Sequence, residues 1–542
     1  MTAQRDDRFR WYEGLAICLA LFGGQMSGEL INQWGNYFYS PTLGTGRTVY
    51  VSIAVVSVIF VFPIALNCVT NPLIALWSDK TNPRREWLRP FQIQGRRRPY
   101  IFWGSILQTC TAILFWFPPI AGTSAANAVY GVVILGLHVA IFATMTTIPI
   151  TALGIEVART PRERMALGVW VALGMIVGLA AAAVLPGLLI EKLDPARHLP
   201  GAEGFSALGY QRTAMAFALV AFALIQLPVW VIRERYQRTA EPEKTRILPE
   251  LMSAFKNRLL QFYVAAFLLF NIGYLAVQRV LAYWAELGLN GSEETVTYLM
   301  APFILAALIA LPVVPMLARR LALKWLLFLC FAIITVGLPA MYPIATMDAS
   351  GVGRAFVQVS DAVGYGAPRA AIEKAQQKNV EDTMKAETSS MSAQAPVPAR
   401  GGGDPYNNLG KVLLGVALFF CCGLGQGIMF AILTPLQGEM IDLDEIKTGQ
   451  RREGVFNSLT DVAWKVSAAL AVCVPNVSMY FWGNSVDRPY GVFAVGPIAG
   501  VFGVLGLIVV YYYPVFRLRR EEGDDFPANA GNETALETEP AP

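Results

Sequence analysis

The chain has 542 residues, is 55% hydrophobic and only 15% charged, with a mean hydropathy of +0.45, whereas soluble domains carry roughly 25% charged residues. A water-soluble globule of this size has no means of hiding that much apolar surface, so the soluble classes are excluded. The net charge of +4 is accounted for by the loops described below and leaves no separate basic surface for nucleic acid.

In chain order the apolar stretches are 14–37, 51–77, 100–120, 128–152, 167–190 and 211–232, then 259–288, 298–318, 324–347, 411–437, 455–480 and 490–514. Each meets the need for about 20 apolar residues in a helix that crosses a bilayer. The expectation is an all-α polytopic membrane protein of twelve transmembrane helices in two six-helix bundles. The first stretch follows Trp11 and Tyr12, continues into a polar face rather than a small-residue cleavage site and leads into further spans. It is expected to be retained and not removed as a signal peptide. Lys and Arg concentrate in 1–13, 78–99, 153–166, 233–258, 319–324, 438–454 and 515–520, while Arg47, Lys192, Arg197, Arg212 and Arg488 fall in short external loops. Basic residues near span ends stay inside, which places both termini on the cytoplasmic side of the cell (inner) membrane.

The expected organisation is a first bundle over 1–232, a cytoplasmic linker over 233–258 with room for a short surface helix, and a second bundle over 259–520. The second bundle carries an external insertion at 345–408, which is polar and rich in Ala, Ser and Gly. It is expected to be helical only near "RAAIEKAQQKNVEDTMK" and otherwise disordered. The acidic tail 521–542 is expected to be disordered in the cytoplasm. All seven cysteines fall within predicted spans and read as small buried apolar side chains, with no disulfide frame, metal site or cofactor implied. One chain supplies both halves of a carrier, so a monomer suffices. Two joined bundles suggest a secondary transporter with its site near mid-membrane, but topology does not establish function.

The polar residues within the spans sharpen this reading. Gln25, Glu29, Asn32 and Asn36 recur at +4, +3 and +4 on one helical face, with Gln33 beside it. Asn67, Thr70 and Asn71 repeat the pattern in the second span, and Thr144, Thr147 and Thr151 in the fourth. Unpaired polar groups in hydrocarbon cost several kcal/mol or so, so the three stripes imply a shared polar cavity; the plainer reading is hydrogen bonding between helices. Asp461 and Lys465 stand four apart with the acid first, the better order for a helical ion pair. They form either a pair that exchanges partners during transport or a static one. Glu29 has no base nearby in sequence, so its partner comes from another helix or it rests protonated. Arg279 either meets the solute or snorkels outward, and His138 reads as a satisfied core histidine.

Several stretches resemble the glycoside–pentoside–hexuronide:cation symporters, a branch of the major facilitator superfamily that includes melibiose permease. They are "MIDLDEIKTGQRREGVFNSL" (440–459) followed by Lys465, "NYFYSPTLG" (36–44), "TNPLIALWSDKT" (70–81), "GRRRPYIFWGS" (95–105) and "TIPITALGIEVARTPRERMAL" (147–167). "GRRRP" is also similar to the related sucrose transporters. The resemblance implies that the family's cation-site acids on helices two and four fall at Asn67, Asn71 and Thr147, none of which ionises. Its inner-face acid on helix one falls at Gln25, with Glu29 one turn on, and its helix-five Arg falls near Val171. Lys465 is kept, and Asp461 stands where the family is usually uncharged. A sodium site without a carboxylate relies on neutral oxygens alone, which rarely suffices in a wet pocket. Coupling is therefore expected to use a proton on Glu29 or on the Asp461–Lys465 pair, or to be absent. The resemblance also implies a cytoplasmic gate at Asp79, Arg96, Arg97 and Arg98, with Glu156, Arg164, Glu439, Asp442, Arg451 and Glu453 as partners.

The expected activity is alternating-access transport of a sugar or glycoside. Gln25, Asn32, Asn67, Thr70, Asn71, Thr144 and Thr147 would offer hydrogen bonds, Trp34 or Trp464 a stacking face, and Gln278, Arg279 and Gln426 the opposite wall. A carrier of lysolipids or other amphipathic metabolites is the first alternative, and a non-transporting receptor is one from another class. An Asp-rich diphosphate motif, a His-Glu metal pair on a span and a nucleophile elbow are all lacking, which argues against an enzyme.

Overall fold

The structure is a computed structural model and describes residues 9–80, 95–158, 160–197, 206–234, 258–318, 320–377, 404–448 and 453–512. Among these, eleven helices are long and apolar enough to cross a membrane. The first half contributes α1 (Trp11–Tyr39), α2 (Ile53–Lys80), α4 (Ala125–Val157), α5 (Pro161–Leu193) and α6 (Leu208–Val231); the second contributes α7 (Arg258–Leu287), α8 (Glu293–Ala318), α9 (Leu323–Thr346), α10 (Pro405–Thr448), α11 (Glu453–Trp482) and α12 (Tyr490–Tyr511). The third predicted span is a shorter helix, α3 (Arg98–Leu114), of 17 residues. It stops short of the expected residue 120 because Pro118 and Pro119 cannot continue a helix. Among the described residues the β-structure is confined to an isolated bridge between Leu43 and Ser485.

Local signals set several helix ends. Thr160 and Glu163 form a capping box at the start of α5, with Pro161 in the first turn. The Glu163 carboxylate also accepts the Phe9 N–H at 3.0 Å and so ties the start of the chain to α5.

Glycines let helices in each half approach backbone to backbone. A Cβ on Gly174 of α5 would lie 2.2 Å from the Cys18 carbonyl oxygen of α1, and one on Gly178 would lie 2.7 Å from that of Phe22. In the second half, Gly423 and Gly427 of α10 stand in the same relation to Phe303 (2.2 Å) and Ala307 (2.4 Å) of α8. Both are small-xxx-small contacts, the means by which helices pack when lipid offers no hydrophobic drive between them. Gly423→Val is expected to cost at least about 1–3 kcal/mol through overpacking and to lower the thermal midpoint of the detergent-solubilised protein. Gly438→Ala, whose added methyl meets nothing within 4 Å, leaves the midpoint unchanged or raises it.

The described part of the insertion, predicted to be external, differs from the expected disordered loop. A helix over Ser350–Ala362 packs on the start of α10: the Ala349 N–H donates to Asn407 at 2.8 Å, and Lys411 donates to the Ala345 carbonyl at 2.7 Å. Gly353 and Gly410 seat it against the Tyr406 and Ala349 carbonyls. Residues 367–377 are helical, as expected; 378–403, most of the linker 233–258 and the tail lie outside the described residues.

Candidate substrate cavity

Ile17, Gly24, Gly28 and Gly35 share one face of α1, at spacings of 7, 4 and 7. The ends of that face are filled. Ile17 Cδ1 lies 3.2 Å from the position of a Cβ on Gly154 in α4, and a Cβ on Gly35 would lie 2.9 Å from the Phe60 ring of α2. At Gly24 and Gly28 an added Cβ meets nothing within 4 Å. The helix therefore borders a hollow at mid-length, enclosed by protein above and below.

The polar stripe of α1 runs beside this hollow. Arg279 of α7 reaches across to it, donating from Nη1 to the Asn32 carbonyl at 3.0 Å and from Nη2 to Asn32 Oδ1 at 3.1 Å. Its guanidinium also lies 4.9 Å from the centre of the Phe60 ring, a cation–π contact. Glu29, one turn earlier on α1, faces the same guanidinium electrostatically, with Asn32 and Gln278 within reach of its carboxylate. Of the two readings of Arg279, the structure has it pointing into the protein rather than outward, and its charge acts on Glu29 from another helix. Gln278 and Gln426 are buried, and Gln426 Oε1 has no hydrogen-bond partner. Gln25 and Glu29 are half-buried beside the hollow.

The stripes on α2 and α4 are satisfied largely by one another. Asn67 donates to Thr144 Oγ1 at 2.9 Å and to the Val139 carbonyl at 3.1 Å, and Thr144 donates to Asn71 Oδ1 at 3.1 Å. Thr70 and Thr151 bond their own helices, while Thr147 is exposed. Thr144 lies two residues beyond a π-helical turn at Leu137–Phe142, a feature that often marks functional sites. His138, in that turn, is buried with Nδ1 3.2 Å from both Thr111 Oγ1 and the Gln108 carbonyl. It is a satisfied core histidine.

Two expectations need correction. Trp34 is fully buried on the side of α1 away from the stripe, edge-on to Tyr37 and Tyr210. A tryptophan packed there has no free face for a solute, which leaves Trp464, 38% exposed and 6.3 Å from the Phe267 ring. The Asp461–Lys465 pair is formed, at 2.9 Å, but is not enclosed: the Asp461 side chain is 54% exposed and that of Lys465 12%. Lys465 lies eleven residues, about three turns, before Asn476, which meets Asn36 and Ser57 of the first half. The pair therefore lies on the face of α11 that looks toward the first half.

The halves are joined at the predicted external end by groups that sequence reading missed. Asn36 and Asn476 exchange amide hydrogen bonds at 2.9 and 3.1 Å, and Tyr283 donates to the Ser40 carbonyl at 2.6 Å. Arg47, from the loop after α1, is buried between Glu293 (2.5 Å) and Glu286 (3.7 Å), 4.9 Å from the centre of the Tyr37 ring. Tyr37 and Thr42 donate to Glu286, and Ser292 donates to Glu191. Burial works against the charged guanidinium, yet Glu293 outweighs it and holds Arg47 above its ordinary pKa. In sequence these are a loop arginine and span-end glutamates, residues that ordinarily face water.

At the opposite end, predicted to be cytoplasmic, Arg96 and Arg97 reach Glu156 at 2.6 and 3.1 Å. Successive backbone N–H groups of Arg96, Arg97 and Arg98 converge on the Glu234 carboxylate. Gly95 makes the cradle possible through its φ of +135°. Arg164 is exposed and donates to the Ala158 carbonyl at 3.3 Å, and Glu439 and Asp442 are exposed on α10. Arg451 and the side chains of Asp79 and Glu453 lie outside the described residues.

A family model described as MFS/sugar transport protein matches residues 17–516. The chain belongs to this family. Among the relatives of this MFS/sugar transport chain, the isoprimeverose transporter of Lactiplantibacillus pentosus is 18% identical over 97% of this chain and 93% of its own length. The inner membrane symporter YicJ of Escherichia coli is 23% identical over 41% of this chain and 42% of its own. These support the resemblance to the glycoside–pentoside–hexuronide:cation symporters. In fold, the chain is similar to a bacterial homologue of the human lysosomal transporter Spinster in an inward-facing and occupied conformation, with a TM-score of 0.55 at 12% identity, covering 93% of this chain and 97% of that one. A mutant of the nucleoside transporter NupG gives 0.54 at 11% identity, covering 91% and 98%. An all-α major facilitator fold follows.

Proposed function

We propose that this protein is a secondary transporter of neutral sugars or glycosides, working by alternating access and coupled to protons rather than sodium. The observation that carries the reading is the Glu29–Asn32–Arg279 constellation beside the α1 hollow. Among the described residues, the cation that reaches the α1 stripe is Arg279, engaged by Asn32 and the Phe60 ring and in the field of Glu29, so the site offers amides and one carboxylate in place of a free positive charge. That composition suits hydroxyl groups and disfavours a uronate or phosphate. Gln25, Asn32, Thr147, Gln278 and Trp464 remain the binding candidates, with Asn67, Asn71 and Thr144 forming a hydrogen-bonded wall.

Residues 1–232 and 259–520 act in this reading as the two halves that rock about the site. The Arg47 seam is the external gate, and the Arg96–Arg97–Glu156 cluster belongs to the cytoplasmic one, with both termini in the cytoplasm. Glu29 is the first proton carrier, and Asp461, partly open to solvent next to Lys465, is the second. The lack of ionisable groups at Asn67, Asn71 and Thr147 supports protons over sodium. In proteoliposomes, an imposed pH gradient, acid on the external side, should concentrate a radiolabelled glycoside, and a sodium gradient at equal pH on both sides should not. Accumulation driven by sodium alone defeats the coupling assignment, and flux of lysolipid in preference to any glycoside defeats the substrate class.

A further inference from the structure

One polar side chain of α1 differs from those around it. Gln33 is 1% exposed, and among the described residues neither its Nε2 nor its Oε1 has a hydrogen-bond partner. Its polar neighbours on the helix are bonded: Asn32 to Arg279, Asn36 to Asn476 and Tyr37 to Glu286. Helical geometry fixes what Gln33 faces. Tyr37 and Asn36 stand one turn on, turned about 40° to one side of Gln33 and about 60° to the other. Both meet Tyr283 of α7, Asn36 Nδ2 at 3.5 Å from the phenol oxygen and the Tyr37 ring at 4.8 Å between centres. Gln33 therefore lies in the join between the two halves, one turn inward of the Asn36–Asn476 bonds, and their contact buries it.

A buried amide without a partner forfeits the hydrogen bonds that it makes in water. An apolar side chain of the same size would close the join without that loss. The penalty is borne only while the halves are together at this end; when they part, water reaches the amide and the penalty disappears. We infer that Gln33 is a counterweight in the external gate: its burial without a partner drives the seam to reopen against the hold of Arg47, Glu286 and Glu293. The assignment rests on the alternating-access reading above, in which the seam opens and shuts in every cycle. Such a cycle needs the closed and open ends to be close in free energy. The Arg47 contacts favour the closed end, and Gln33 offsets part of them.

The test needs no solute. Ser40, buried in the seam with its carbonyl bonded to Tyr283, is replaced with Cys in the full-length protein in spheroplasts. Its reaction with an impermeant thiol reagent from outside is timed against the protein without the added cysteine. Gln33→Met, which keeps the length of the side chain and removes its amide, should slow that reaction about tenfold, the effect of a shift of 1.4 kcal/mol or so toward the closed end. It should leave the thermal midpoint of the detergent-solubilised protein unchanged or higher, because no hydrogen bond is lost. Gln33→Glu, harder still to bury when ionised, should speed the reaction. Labelling of Gln33→Met as fast as with Gln33 present, a lower midpoint, or labelling of Gln33→Glu that is unchanged or slower overturns the assignment and leaves alternating access standing. A Ser40→Cys reporter that reacts at no measurable rate in all three proteins overturns the external gate as well.

Discussion

Replacing Glu29 with Gln should abolish pH-driven accumulation of the solute while leaving solute exchange across the membrane in place. The substitution keeps the shape and hydrogen bonding of the side chain and removes only its ability to ionise. Arg279 retains Asn32 and the Phe60 ring but loses its only carboxylate at the α1 stripe. A side chain that cannot ionise carries no proton across the membrane, so the expected loss of accumulation is complete rather than graded. Counterflow, which needs no net proton movement, should continue at a reduced rate. The same assay on Asp461→Asn separates the two proposed carriers, because Asp461 is more than half exposed and its removal should lower accumulation only partly. Undiminished accumulation by Glu29→Gln removes Glu29 from the coupling path.

Arg47→Ala carries the second large effect. Arg47 is the cation between Glu286 and Glu293, residues of α7 and α8, and it comes from the loop after α1. Deleting it leaves two carboxylates close together in a buried seam and removes the cation–π contact with Tyr37. The closed external end should lose about 3–5 kcal/mol, enough to shift a closed-to-open ratio by a hundredfold or more, since each 1.4 kcal/mol or so is tenfold. A cysteine placed at Asn36, fully buried in the seam, should then react with an impermeant thiol reagent from outside, whereas with Arg47 present it should not. Arg47→Ala combined with Glu293→Gln should recover part of the protection, because it relieves the carboxylate repulsion. Unchanged protection in Arg47→Ala means that Tyr283, bonded to the Ser40 carbonyl, and the packing around it hold the seam without the arginine.

Both effects depend on residues that the chain shows very unequally. Glu29 was legible, because a carboxylate on a polar stripe of an otherwise apolar span has few readings. Arg47 was not: an arginine in a short loop between spans reads as solvated, and only the fold brings it against two glutamates some 240 residues away. Glu234 was hidden for the same reason. Its role comes from three backbone N–H groups and the positive φ of Gly95, and backbone donors leave no mark in a sequence. Trp34 shows the opposite error. It is offered as a stacking face, yet a shift of two positions along α1 from Asn32 turns a side chain by about 200°, into the aromatic cluster of Tyr37 and Tyr210.

By itself the sequence determined where the apolar helices fall, the α1 stripe and the Asp461–Lys465 pair, since hydrophobic runs and helical period are properties of contiguous residues. Tertiary structure alone decided that Asn67, Asn71 and Thr144 spend their polarity on one another, that Arg279 bonds Asn32, and that Arg47 lies between Glu286 and Glu293. Those are choices of partner between distant helices, and hydrocarbon forces each polar group to find one without specifying which.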